Sequence, residues 1–325
     1  MPEFDLIKRL QGIIKIDESA RAAPCFVGIG DDAAVLDIPA DRQLVVCTDT
    51  LVAGVHFPEH SAPAAIGHKS LAVNLSDLAA MGADPAWFFM ALSLPAEDDR
   101  WLESFAGGVA RLADRAGIVL AGGDVSSGPL SVCITALGLV ARGTALTRAG
   151  AQPGDLIAVS GQTGSAALAL RRLEAGFPPD DEGLLALEYP EPRLGLGRAL
   201  RGVATSCIDL SDGMLADLGH ILEASGAGAV IELDKLPCAA SLEDLPDEER
   251  WALQLAGGDD YELCFTLPQE SRAELGRIAE KTGIPLTVIG TVTGEGLELR
   301  TPAGERFEPR VSGYQHFGRA GAGER

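Results

Sequence analysis

Apolar and polar positions alternate with two different periods along this chain. In the first half, residues 43–47 (QLVVC) form a short, β-branched apolar run that predicts a buried strand. Over residues 64–81, Ile66, Leu71, Leu75 and Leu78 recur near helical spacing and predict a helix; Gly82, followed by Asp84-Pro85, stops it. Residues 98–116 predict a second helix, and residues 131–140 (SVCITALGLV) a strand. A turn-rich stretch, RAGAQPGD at 148–155, marks a domain boundary, giving domains 1–148 and 149–325. The pattern restarts with a strand at 156–160 and a glycine turn, SGQTGS, that leads into a helix. An apolar run at 203–208 precedes DLSDG, and residues 212–224 predict a helix with Leu215, Leu218, Ile221 and Leu222 on one face. Residues 229–233, 261–267 and 286–289 are further strand candidates. Strands and helices mix without a strict βαβ rhythm, which favours two α+β domains over one doubly wound sheet. No tandem repeat of solenoid period is present.

Composition agrees with two domains. A chain of 325 residues, 46% hydrophobic and 22% charged, has enough apolar material to bury a core in each half. The charge balance changes the picture more. With 47 acidic and 26 basic residues, the formal net charge of −21 repels nucleic acid and anionic membrane surfaces. It repels phosphate substrates as well, so binding one requires cations, most simply Mg²⁺. The six cysteines (Cys25, Cys47, Cys133, Cys207, Cys238 and Cys264) include no CxxC pair, and four sit in apolar runs; they are expected as buried, reduced thiols. The first residues, MPEFDLIKRL, have no long apolar core, and no segment reaches the length of an uninterrupted apolar span. A cytoplasmic protein is the expectation.

Several familiar chemistries are missing. There is no GxxxxGK[ST], no HRD with DFG, no HExxH and no GxSxG, and the five histidines have no metal-binding spacing. What recurs is aspartate beside glycine or in apolar surroundings. GIGDDAAV (28–35) places Asp31 and Asp32 after two glycines; a tight turn with a solvated acidic pair is the plain alternative. In VVCTDTLVAGVHF, Asp49 follows the predicted strand directly, flanked by Thr48 and Thr50. In LAVNLSDLAAMGADP, Asn74 and Asp77 share a helix face. A carboxylate there is costly unless paired or metal-bound, and the nearest cation is Lys69, eight residues back on roughly the same face. VLAGGDVSSGP carries Asp124 after Gly122 and Gly123, which permit close approach to a phosphate or simply make a turn. In SCIDLSDGMLADL, Asp209, Ser211 and Asp212 stand at a strand-to-helix junction; helix capping accounts for one of them, and a helix N-terminus favours phosphate. If these carboxylates converged without cations, repulsion would raise their pKa values and destabilise the fold; with several Mg²⁺ ions they become a template for a triphosphate.

Together these segments resemble the thiamine-monophosphate kinase family of the aminoimidazole-ribonucleotide-synthetase-like superfamily. The resemblance rests on GIGDDAAV, TDTLVAGVHF, LAVNLSDLAAMGADPAW, GGDVSSGP, ALTRAGAQPGD, IDLSDGMLADLGHI, GGDDYELCFT and GYQHF, in order from residue 28 to 317. It implies a two-domain synthetase-like α+β fold. The N-terminal domain would form a β-barrel across a homodimer, with ATP bound near that interface, and the C-terminal domain would be an α/β sandwich. It implies ATP-dependent phosphorylation of thiamine monophosphate to the diphosphate, the final step of thiamine diphosphate biosynthesis. By motif it implies Asp32, Asp49, Asp77, Asp124, Asp209 and Asp212 as magnesium ligands. Thr48 and Cys47 add oxygen contacts, Cys47 through its carbonyl because a thiol suits Mg²⁺ poorly. Gly123, Asp124, Arg148 and Ser211 match nucleotide-contacting positions, and His56, Asp259 and Tyr314 match substrate-contacting ones.

Two departures stand out. The family's GGEDYE is GGDDYE here, so Asp259 is one methylene shorter than the usual glutamate, and GGDTT is GGDVS. The expected mechanism is direct in-line transfer, with no general base, because the acceptor is already a phosphate monoester. Selenophosphate and aminoimidazole ribonucleotide synthetases, hydrogenase-maturation proteins and a non-catalytic nucleotide sensor are the alternatives. No cysteine follows Cys264, against the hydrogenase-maturation reading, and the acidic set is complete, against the sensor.

Overall fold

The structure is a computed structural model that describes residues 9–14 and 25–309. A short antiparallel pair, β1 (Cys25–Val27) and β2 (Val35–Leu36), precedes a four-stranded sheet. That sheet contains β3 (Arg42–Val52), β4 (Asp84–Leu94), β5 (Val119–Ser127) and β6 (Ser131–Ala141), in the order β3-β6-β4-β5. Among the described residues this sheet is open, with β3 and β5 at its edges.

Two helices, α1 (Pro63–Ala80) and α2 (Asp99–Ala116), cover one face, and Leu71, Leu75, Phe88, Phe105 and Ile134 fill the core between them and the sheet. Pro63 begins α1 where its missing N–H is not needed. Asp98 caps α2, accepting from the backbone N–H groups of Arg100 and Trp101 at 2.9 and 3.1 Å. The helices cross closely because glycine stands at the contact: a Cβ on Gly67 would lie 2.2 Å from the Phe105 carbonyl oxygen. Helix α1 is buried nearly all round, including His68, Lys69, Ser70, Asn74 and Ser76. A helix buried on every side lies between layers, and α1 separates the sheet from the second half of the chain.

The second half is built on a seven-stranded mixed sheet. Its strands are β7 (Leu156–Ser160), β8 (Ser206–Asp209), β9 (Gly228–Glu232), β10 (Leu263–Leu267), β11 (Leu286–Thr293), β12 (Leu297–Arg300) and β13 (Arg306–Phe307). They lie in the order β13-β12-β9-β11-β7-β10-β8. Helices α3 (Ser165–Glu174), α4 (Asp181–Glu188), α5 (Leu194–Leu200), α6 (Met214–Ser225), α7 (Asp247–Ala256) and α8 (Arg272–Thr282) surround it. Leu218, Ile221, Trp251 and Leu255 pack one face; Leu196, Leu200, Leu275 and Ile278 pack the other. Ala79 and Ala80 at the end of α1 join that second cluster, so the two halves share apolar packing. Among the described residues, no helix is long and apolar enough to cross a membrane.

Several sequence expectations change here. Strand β3 runs on to Val52, so Asp49 lies inside a strand and not after one. Strand β4 was not foreseen, because Asp84-Pro85 reads as a helix stop and the run that follows lacks a clean period-two alternation. The glycines of VLAGGDVSS suggested a turn, yet the segment is edge strand β5. Its Gly123 has φ 156, and a Cβ there would sit 2.0 Å from the Met90 carbonyl oxygen. Close strand packing therefore demands this glycine, whatever else it does.

Candidate functional site

A cavity of about 660 Å³ opens between the two halves. Helix α1 gives it Lys69, Val73 and Asp77, spaced by four residues and so on one face. Strand β3 gives Asp49, the end of β8 gives Asp209, and the loop beyond gives Ser211 and Asp212. Gly257, Gly258, Asp259 and Tyr261 line it too, and α3, packed against Gly257 through Ala167, adds Ala166, Leu170, Arg171 and Glu174.

The carboxylates here act on one another. Asp209 is buried, and Ser76 on α1 donates to it across the two halves at 2.6 Å. Burial pushes Asp77 up to about 8, with repulsion from Asp209 and Asp49 adding to it. Burial raises Asp209 to about 6, eased by the Ser76 hydrogen bond. Asp49 is likewise raised by burial and eased by a hydrogen bond with Asp77. Close acidic groups held out of water bind protons more tightly, and a cation entering among them competes with those protons.

The junction after β8 differs from expectation. Gly213 occupies the cap position of α6, with no side-chain capping bond. The backbone N–H groups of Ser211 and Asp212 both donate to buried Asp217, each at 3.0 Å. Those donors are therefore engaged, and neither Ser211 nor Asp212 caps the helix by its side chain. Burial raises Asp217 to about 7.

Asp32, Gly123 and Asp124 lie elsewhere. With Gly28, Gly30 and Asp31 they line a second cavity of about 730 Å³. Asp49 pairs with Ile134, Ile134 with Met90, and Met90 with Gly123, so Asp49 and Gly123 stand in one row at opposite edges of the sheet. Three strand spacings make that about 14 Å. Asp124 sits one register further and points to the other face. The six aspartates thus divide into two groups. Among the described residues, no three His, Cys, Asp or Glu side chains form a ready-made metal cage. The oxygen-only donor chemistry and the raised carboxyls of the first group nonetheless fit a hard divalent cation whose other ligands come from a phosphate.

The other expected residues scatter around this frame. The Cys47 thiol donates to the Asn74 carbonyl at 3.3 Å, and burial pushes it far up. Thr48 shares a 2.9 Å hydrogen bond with Thr135 on the face away from Asp49. Arg148 is exposed, and its charge lowers the pKa values of Asp77 and Asp209. His56 lines the cavity while its Nδ1 accepts from the Val52 N–H at 3.0 Å, a turn-holding bond. Tyr314 lies outside the described residues.

Asp259 has partners that the sequence did not suggest. Its Oδ2 is 3.1 Å from the Lys69 ammonium, and the Tyr261 hydroxyl donates to its Oδ1 at 3.1 Å. Lys69 therefore serves Asp259 and not Asp77. Glu262, the last residue of GGDDYE, is buried and pairs with Arg193 through both oxygens while Ser160 donates to it. Lys69 was noted only as a possible partner of Asp77, and Asp217 and Arg193 were missed. The available signal was a lone charge inside an apolar helix for Lys69 and Asp217; Arg193 offered none.

The AIR synthase related protein N-terminal domain model matches residues 30–140, and the corresponding C-terminal domain model matches residues 152–301. The chain is 47% identical over 301 residues to a thiamine-monophosphate kinase of Escherichia coli strain K12, covering 90% of this chain and 92% of that one. It is 42% identical over 337 residues to the Haemophilus influenzae thiamine-monophosphate kinase, covering 98% of each. Its structure is similar to that of the Stenotrophomonas maltophilia thiamine-monophosphate kinase, with TM-score 0.85 and 45% identity over 94% of this chain and 98% of that one. A structure of AaThiL complexed with AMPPCP and TMP matches with TM-score 0.75 and 29% identity, covering 97% of this chain and 96% of that one. The hydrogenase maturation protein HypE of E. coli shares the fold alone, at 20% identity and TM-score 0.73.

Proposed function

The chain belongs to the thiamine-monophosphate kinases of the AIR synthase related family, and from that premise we propose that it transfers the γ-phosphoryl group of ATP to the phosphate of thiamine monophosphate, giving ADP and thiamine diphosphate. The observation that carries this reading is the cleft between the two halves, where Asp49, Asp77 and Asp209 are held together with raised pKa values beside Asp212. Such a cleft repels a triphosphate unless cations enter with it.

Asp49, Asp77, Asp209 and Asp212 would hold magnesium on this side, and Asp32 and Asp124 on the other. When bound, the ions neutralise the phosphates and leave the transferred phosphorus open to attack. The protein's own contribution is placement. The acceptor is a phosphate monoester, mostly dianionic near neutrality given a second pKa of about 6, so no side chain need remove a proton. An acceptor phosphate oxygen attacks the γ-phosphorus in line, the bond to the bridging oxygen breaks, and ADP leaves. Ser76 and Asp217 fix the carboxylate-bearing segments, and Arg148 adds positive charge beside Asp77 and Asp209. Ser211, Gly123 and Asp124 are assigned to the nucleotide, and His56, Asp259 and Tyr314 to the acceptor. Cys47 and Thr48 are kept as backbone oxygen donors only, since their side chains are engaged.

The barrel across a homodimer belongs to the same proposal. The sheet face away from α1 and α2 is only partly covered: Trp87, Leu137 and Leu139 are buried with Ala34 and Leu36 packed on them, while Leu44 and Val46 stay exposed at the β3 edge. A barrel closed by a second copy would cover that face and put both free edges, with the Asp49 and Gly123 rows, at the subunit boundary. The domain boundary is placed at 148/149, in the connection between β6 and β7, and the compartment as cytoplasmic.

The test offers ATP and Mg²⁺ with thiamine monophosphate, free thiamine or aminoimidazole precursors in parallel. Diphosphate should form from the monophosphate alone. Phosphorylation of free thiamine, or cyclisation of an aminoimidazole precursor, would replace this reading.

A further inference from the structure

Lys69 is the buried cation of the cleft, and the mechanism above does not use it. Its side chain is 4% exposed, and it stands on α1 two turns before Asp77, on the same face. The nearest counter-charge is on the other side of the cavity, where Asp259 approaches to 3.1 Å. Asp259 and Tyr261 both have positive φ, 68 and 49, in a left-handed region that such residues rarely adopt. Backbone held there needs enforcement from its surroundings, and such strain clusters at functional sites. Three bonds supply it. The Asp259 N–H donates to the Ser211 carbonyl at 3.0 Å, the Tyr261 N–H to the Leu210 carbonyl at 2.8 Å, and the Tyr261 hydroxyl to Asp259. Lys69 is the only member of this set that comes from the first half of the chain.

We propose that Lys69 is a positioning residue for phosphoryl transfer. By gripping Asp259 across the cleft it fixes the 259–261 turn, and through the Asp259 N–H it fixes the Ser211–Asp212 segment against Asp49 and Asp77. Both oxygens of Asp259 have a partner, so Lys69 and Tyr261 together fix the orientation in which its short side chain meets the acceptor. Lys69 itself has no exposed ammonium to offer a phosphate. The proposal rests on the kinase reading for its turnover readout alone.

The test compares the full-length wild type with Lys69→Met, Asp259→Asn and the double variant, well below each melting temperature. Asp259 is already 26% exposed, so in Lys69→Met its carboxylate is hydrated and the fold is retained. Displacing the 211–212 segment by about 1 Å should lower kcat roughly 10- to 100-fold. The KM for ATP should change far less, and the Mg²⁺ concentration for half-maximal rate should rise several-fold. If the pair acts as a unit, the double variant is no slower than Lys69→Met. A Lys69→Met enzyme within twofold of wild type in both kcat and Mg²⁺ requirement overturns the proposal, as does a loss explained entirely by unfolded protein. Calorimetry of Mg²⁺ with a non-hydrolysable ATP analogue reads the same displacement without turnover. Wild type that binds the analogue but makes no thiamine diphosphate sinks the kinase reading. Unchanged Mg²⁺–analogue affinity in Lys69→Met sinks the positioning role.

Discussion

Replacing Asp77 by asparagine should make the metal-free protein more stable and the enzyme nearly inactive. Asp77 is part-buried in the cleft, and its carboxyl is pushed from an ordinary 3.8 up to about 8. At about pH 7.5 and 1.36 kcal/mol per pH unit, the shift corresponds to about 5 kcal/mol of lost stability as an upper bound. Asp49 and Asp209 share the same repulsion, and unfolded chains are not fully extended, so about 1–3 kcal/mol is the expected gain. Asparagine keeps the shape, carries no charge and can donate to Asp49. For a chain of this size that gain raises the melting temperature in EDTA by about 1.5–4.5 °C. Mg²⁺ should stabilise wild type clearly and the variant much less, because one proposed ligand is gone. Thermal melts with EDTA and with excess Mg²⁺, beside turnover of thiamine monophosphate, provide the readout. A variant that melts lower than wild type in EDTA, or that keeps the full Mg²⁺ response, would refute the reasoning.

Asp49→Asn and Asp212→Asn should each reduce turnover by about 10²–10³-fold while circular dichroism stays native, since each removes charge aimed at the transferred phosphate. Two variants with near-wild-type rates would dismiss the template. In EDTA, the melting temperature should fall as pH rises from about 5 to about 8.5. Asp209, Asp217 and Asp77 have native pKa values raised to about 6, 7 and 8, so the native state holds protons the unfolded chain has released, and their stabilising effect is lost through that window. Saturating Mg²⁺ should flatten the slope; a rising curve would contradict the shifts. Glu262→Ala should cost about 3 kcal/mol, because it strips Arg193 and Ser160 of a buried partner, while activity per folded molecule changes little. Denaturant melts read the first quantity and active-site titration the second. Gly123→Ala should destabilise the first domain by more than about 1 kcal/mol, because its Cβ would press into the Met90 carbonyl; an unchanged melt would place the glycine's role in ligand approach alone.

The sequence made the local elements legible where period and punctuation agreed. Strand β6 was predicted at 131–140 and runs from Ser131 to Ala141, and the first long helix was predicted at 64–81 and runs from Pro63 to Ala80. Strands β4 and β5 escaped because both are covered by other elements or glycine-rich, so neither alternates cleanly. The aspartates were legible by type, since a carboxylate in apolar surroundings is conspicuous. Their grouping was not. Whether Asp49 and Asp124 share a site depends on the order of strands in a sheet, and three-strand separation is invisible in residue spacing. The Lys69–Asp259 pair joins residues nearly two hundred positions apart in the chain. No motif predicts a contact made only when two domains meet. Asp217 was hidden because its two backbone donors, at Ser211 and Asp212, belong to a loop whose conformation had to be seen first.

In the proposed reaction, Mg²⁺-dependent transfer runs from ATP to the phosphate of thiamine monophosphate on this chain's own carboxylates. Phosphorus NMR of the purified protein with ATP, Mg²⁺ and thiamine monophosphate follows it directly. The monophosphate signal should give way to the coupled pair of thiamine diphosphate, with ADP in equal amount; EDTA should stop the change and Asp212→Asn should nearly abolish it. ADP with inorganic phosphate and no new diphosphate, or undiminished transfer by Asp212→Asn, would contradict it.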